Sequence, residues 1–170
     1  MMRLPALTLI ALLCGLVGAQ AQPAPKQIAS HGAWTAFSFT ETGGKTCYMA
    51  SEPTKALPKG VKRGGIWLMV TNRPWKKVID EISFYSGYPF KAESAVSIKI
   101  DGRAHQMFTH KETAWAETSA SEKALLRAMI RGNTMVVSGT STRGTRTTDT
   151  FSLKGFTATH RALSAACKAN

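Results

Sequence analysis

The chain reads as a mainly β protein: an antiparallel β-sandwich with two short helices, one before the last hairpin and one at the C-terminus. Three observations carry that reading. Short runs of β-branched and aromatic residues recur, broken by Gly, Pro, Asn or Asp roughly every 8–12 residues. Val96, Ile98 and Ile100 alternate with Ser97, Lys99 and Asp101, the period of a strand with one buried face. Two segments, Ser119–Arg131 and Thr157–Cys167, place apolar residues at helical spacing instead.

The first 21 residues read as a cleaved signal peptide. Arg3 supplies a positive start, Leu4 to Val17 a compact apolar stretch, and Ala19-Gln20-Ala21 the small-x-small pattern that signal peptidase cuts after. The stretch is shorter than the roughly 20 residues a membrane helix needs, and no later segment of the mature chain is apolar for long enough to span. Leu13 stands where a lipobox wants a small residue, so Cys14 belongs to the leader. An exported chain then keeps two cysteines, Cys47 and Cys167, which in an oxidising compartment read as one disulfide. The expected location is the periplasm, with association with the outer membrane or secretion as the alternatives.

Gln22 to Ala33, with Pro23 and Pro25, reads as a flexible lead-in, and residues 34–170 as a single domain. Trp34–Phe39 and Thr46–Ser51 form a hairpin around Thr42-Gly43-Gly44-Lys45. Glu52–Lys62, with two prolines, Gly60 and three lysines, reads as an exposed loop. Ile66–Val70 is an unbroken apolar run between Gly65 and Asn72, expected as a strand buried on both faces. Val78–Tyr85 follows, its apolar face interrupted by Asp80. Asp101-Gly102 turns the Val96 strand into Arg103–Thr109. A two-residue loop there puts His105 and Met107 on the core face. A three-residue loop puts Ala104, Gln106 and Phe108 there, and is preferred because it buries Phe108.

Ser119-Ala120-Ser121-Glu122 fits a capping box ahead of the stripe Ala124, Leu125, Ala128 and Met129, and Gly132 ends that helix. Arg127 and Arg131 lie in its last turn, where positive charge suits the helix dipole. Thr134–Thr140 and Thr145–Leu153 make a last hairpin, and Phe156 and Leu163 should dock the tail helix.

Removing Arg3 with the leader leaves 21 basic against 10 acidic residues, a balance that favours anionic partners. Export separates the chain from nucleic acid, and no aromatic-and-basic RNA-binding signature is present. Two loops concentrate the charge: Lys55, Lys59, Lys62 and Arg63 before the Ile66 strand, and Arg73, Lys76 and Lys77 after it, with Trp75 among them. At ~3.3 Å per residue the intervening strand holds the clusters about 20 Å apart. These eight residues are the candidate anion- or partner-binding set. No nucleophile elbow, P-loop, Cys-x-x-Cys or metal-spaced histidine pair occurs, so no catalytic residue, metal or cofactor is expected.

Several blocks in order match one family. Cys47-Tyr48-Met49-Ala50-Ser51-Glu52-Pro53, Val70-Thr71-Asn72-Arg73-Pro74, Ser86-Gly87-Tyr88-Pro89-Phe90, Thr113-Ala114-Trp115 and Thr148–Phe156 resemble the invasion-associated locus B proteins of bacteria. The resemblance runs from about Trp34 to Cys167. It implies an immunoglobulin-like sandwich, periplasmic or associated with the outer membrane, with a link to host-cell invasion in its named member and no established catalytic residue. The expectation is a non-enzymatic envelope protein that binds an envelope component or partner protein through loops. The rivals are an envelope enzyme acting on an anionic polymer, with Asp149, Glu81 or His160 meeting in space, and a periplasmic assembly or stress factor.

Overall fold

The computed structural model describes residues 24–169, so the signal-peptide reading of residues 1–21 lies outside the described residues. Eleven strands and two helices follow in order: β1 (Lys26–His31), β2 (Trp34–Glu41), β3 (Gly44–Ser51), β4 (Lys55–Leu57), β5 (Trp67–Arg73), β6 (Val78–Tyr85), β7 (Ala95–Ile100), β8 (Arg103–His110), β9 (Thr113–Trp115), α1 (Ser119–Arg131), β10 (Thr134–Thr140), β11 (Arg146–Ser152) and α2 (Phe156–Cys167). All the strands join one antiparallel sheet in the order β1-β2-β3-β5-β6-β9-β8-β7-β10-β11-β4. The mainly β class with two helices is therefore observed, but as one continuous ladder instead of two separate sheets.

The ladder curls until its halves face each other. Phe84 of β6 meets Phe151 of β11 edge-on with centroids 6.1 Å apart, and the Trp34 indole N–H of β2 donates to the Ser152 carbonyl at 3.0 Å. Twist makes a long open sheet curl in this way, and the alternating apolar residues then share one core. Each large side chain buried there stabilises by about 1.5–3 kcal/mol. α2 packs on β1, β2 and β3, with Phe156 edge-on to Trp34 at 4.9 Å and Leu163 fully buried. The Cys47–Cys167 disulfide fastens its last turn to β3.

Five expectations are corrected. The segment expected as a flexible lead-in contains β1, paired to β2 across the turn at Gly32. Its polar sequence suits an edge strand with little buried surface, and a Cβ at Gly155 would overlap the His31 carbonyl oxygen, so glycine lets the turn dock at the start of α2. The loop expected at 52–62 contains β4, which closes the far edge against β11. β5 is not buried on both faces: Leu68 and Val70 are inside, while Trp67 stays 39% exposed.

The β7–β8 loop has two residues, since Ile100 pairs with Arg103. Met107 is thus buried, Phe108 is outside, and Phe108 recovers contact by stacking on its cross-strand neighbour Trp115 at 5.8 Å. Finally, the α1 capping box lies one residue earlier, Thr118 with Ser121, which frees Glu122 for another partner.

Candidate functional site

The second basic loop is built on a tight turn. Pro74–Lys76 forms one 3-10 turn, and Lys77 leaves it in the left-handed region, its N–H donating to the Pro74 carbonyl at 2.9 Å. Trp75 folds back over the β2–β3 turn, where a Cβ on Gly43 would come within 2.7 Å of the indole. Its N–H donates to Thr46 Oγ1 at 3.3 Å, and Lys76 Nζ sits 4.6 Å from its ring centre. Arg73 spends its charge locally, 2.9 Å from Glu81 and 3.8 Å from Glu41. The fold adds Lys45 and Lys168, which sequence reading missed. With Trp75 and Cys167 they border a depression of about 270 Å³ beside the disulfide. No local pattern joins residues so far apart.

The first basic loop is divided. Lys55, Lys59 and Lys62 are exposed, whereas the Arg63 side chain is 7% exposed and faces a fully buried Asp149. Its guanidinium makes two hydrogen bonds to that carboxylate, at 2.8 and 2.7 Å, and two more to the Ser86 carbonyl. The guanidinium also lies 5.0 Å from the centre of the Tyr88 ring. Arg63 is an internal tie of the fold with its donors already engaged. β5 separates this loop from the Trp75 turn, so the two groups do not merge into one patch.

Beside the Trp75 turn the sheet forks. β9 pairs only with Ser83–Tyr85 of β6, leaving Val78–Ile82 without a strand on that side. The first turn of α1 covers this edge, and Glu122 accepts the Ile82 N–H at 2.9 Å. A cleft of about 610 Å³ remains, lined by Lys77, Ile79, His110, Glu122 and the stacked rings of Phe108 and Trp115. Ile79 and Phe108 are 40% and 45% exposed, so the cleft joins an apolar wall to a rim of mixed charge, with Lys77 and His110 beside Glu81 and Glu122.

Burial raises the Glu122 pKa above the ordinary glutamate value; the Ile82 hydrogen bond opposes the shift, and the charges of Glu81 and Asp80 add to it. A carboxyl whose pKa is raised on folding costs stability once pH climbs through that raised range. Glu122→Gln keeps the acceptor and removes the charge. It should melt higher than the parent at pH 7, with the difference shrinking as pH falls through the ordinary glutamate range. Melts showing a pH-independent difference would contradict this.

Each reactive group is engaged with its own partner: Asp149 is paired with Arg63, Glu81 with Arg73, and His160 with Asp80 at 2.7 Å, and no hydrogen bond or ion pair joins the trio expected for an enzyme among the described residues. The His160 ring stacks on Phe156, and Asp80, held at φ 60°, donates its backbone N–H to Asn72 Oδ1. This chain of contacts ties α2 to the irregular start of β6. Among the described residues no three His, Cys, Asp or Glu side chains assemble to hold a metal ion, and no helix is long and apolar enough to cross a membrane.

Residues 34–164 match the family model described as Invasion associated locus B (IalB) protein. No curated protein and no solved structure gives a significant match.

Proposed function

The chain belongs to the invasion associated locus B family, and we propose that it is a non-enzymatic exported protein that binds an anionic envelope component or partner through the Trp75 turn and the adjoining aromatic cleft. The observation that carries this reading is that Lys77, next to Lys76 on the turn, shares a cleft with the Phe108–Trp115 stack, of which Phe108 is exposed. Paired rings beside unpaired ammonium groups suit a partner with both an apolar and an anionic part. The leader-like Met1–Ala21 supports export, with the periplasm as the working compartment, at the outer membrane or beyond it. A contribution to host-cell contact rests on the family alone. The facing halves of the sheet are read as the layers of an immunoglobulin-like sandwich, with Lys55, Lys59 and Lys62 as a secondary basic tip. Arg63, with its donors engaged inside, supports that tip without contacting the partner.

Affinity capture from intact envelopes tests the reading. Partners held by the parent at about 0.1 M salt should be lost at 1 M, where the Debye length falls to about 3 Å. Lys76→Gln/Lys77→Gln should reduce capture several-fold without changing the melting temperature, because both side chains are exposed, and Phe108→Ala should reduce it several-fold with a small loss of stability from the broken Trp115 stack. Salt-resistant capture that is indifferent to all three substitutions would sink the proposal and favour a strand-edge contact.

A further inference from the structure

A second cleft, on the opposite side of β8 from Phe108, is built of arginine. Its volume is about 490 Å³, and it lies where the last turns of α1 cross the β7–β8 turn. Arg103 enters it from β8, and Arg127 and Arg131 from α1, four residues apart on one helical face. None of the three lies within ion-pair distance of a carboxylate among the described residues.

The one acid in the lining, Asp101, is committed elsewhere. Its two oxygens accept the backbone N–H groups of Asn133 and Thr134 at 2.9 and 3.1 Å. His105 also lines the cleft, and its Nε2 is buried without a hydrogen-bond partner.

We propose that this cleft binds a phosphate monoester. Three guanidinium groups against one carboxylate leave a local excess of two positive charges, which matches the nearly −2 charge of a phosphate monoester at neutral pH. Guanidinium forks pair with phosphate oxygens through two parallel hydrogen bonds, and a ligand of opposite sign relieves the repulsion between Arg127 and Arg131. His105 borders the same cleft, but its buried Nε2 is not open to the ligand. The α1 C-terminus, where the dipole is negative, does not create the positive potential; the side chains do. The ligand would be a phosphorylated sugar or other soluble phosphate, or the headgroup of a phosphorylated lipid. This site is independent of the Trp75 turn, and either can fail alone.

Titration calorimetry of the oxidised protein with inorganic phosphate and glucose 6-phosphate tests the soluble source. Flotation with vesicles containing phosphatidic acid, against vesicles of equal charge containing phosphatidylglycerol, tests the lipid source. Arg127→Gln or Arg131→Gln should weaken binding about tenfold or more, since a hydrogen bond to a charged group is worth about 1.5–3 kcal/mol. Lys91→Gln/Lys154→Gln, removing two exposed charges outside both clefts, should change it less than twofold.

Saturable one-to-one binding lost in the arginine variants supports the site, whichever source supplies the phosphate. If none of these probes binds, or if the lysine variant weakens binding as much as the arginine variants, the assignment is overturned. The arginines are exposed, so an unchanged melting temperature will separate lost binding from lost folding.

Discussion

Removing the disulfide should lower the free energy of unfolding by roughly 4–5 kcal/mol, the chain-entropy value for a link across so long a loop. Cys47 and Cys167 are 120 residues apart, and the bond joins an early strand to the last turn of the last helix. Without it the unfolded chain regains freedom that the link denies it, and α2 is held only by its own packing. Phe156, Thr159 and Leu163 stay buried against β2 and β3 and should keep the helix docked in the folded state. The measurement is the denaturant midpoint of the Cys47→Ala/Cys167→Ala protein against the oxidised parent. Alanine avoids the separate cost of placing a hydroxyl at two buried positions. Parent protein unfolded in strong reductant should match the variant; equal midpoints for oxidised and variant chains would mean that the link contributes nothing.

Arg63→Met should cost about 3–5 kcal/mol, because it leaves the Asp149 carboxylate fully buried with no counter-charge. Arg63 holds Asp149 by two hydrogen bonds and the Ser86 carbonyl by two more, so one substitution strands several polar atoms. The double variant Arg63→Met/Asp149→Leu removes both charges and should recover most of the loss. Buried ion pairs can often be replaced by apolar residues at little cost, whereas half of one cannot be left behind. Thermal melts of the two single variants and the double decide it. If Arg63→Met alone melted within 2 °C of the parent, the pair would carry no weight in the fold.

Much of the local structure was legible. β2, β3, β6, β7, β10 and β11 fall where alternation and turn residues place them, and Gly132 ends α1. The disulfide followed from the cysteine count once the leader was set aside. β1 and β4 were missed because edge strands bury little and so carry little apolar pattern. The β7–β8 register was misjudged because Phe108 was assumed to need the core, while a cross-strand partner, Trp115, shelters it on the outside. That error hid the aromatic cleft and turned His105 the wrong way.

Of the candidate binding residues, Lys76, Lys77 and Trp75 share a surface, while Arg63 and Arg73 are drawn into ion pairs. Nothing in a run of lysines and arginines tells which will meet a carboxylate from a strand far away in the chain. The same holds for Arg103, Arg127 and Arg131, which come together only where a helix crosses a hairpin.

Read alone, the sequence determined the strand-rich class, the two helices, the cysteine pair and the family, since these rest on local periodicity, turn chemistry and short ordered blocks. Only the tertiary structure decided that the strands form one curled sheet, which charges remain unpaired, and where the clefts open. Periodicity tells which face of an element is apolar; it says nothing about which distant element will cover it.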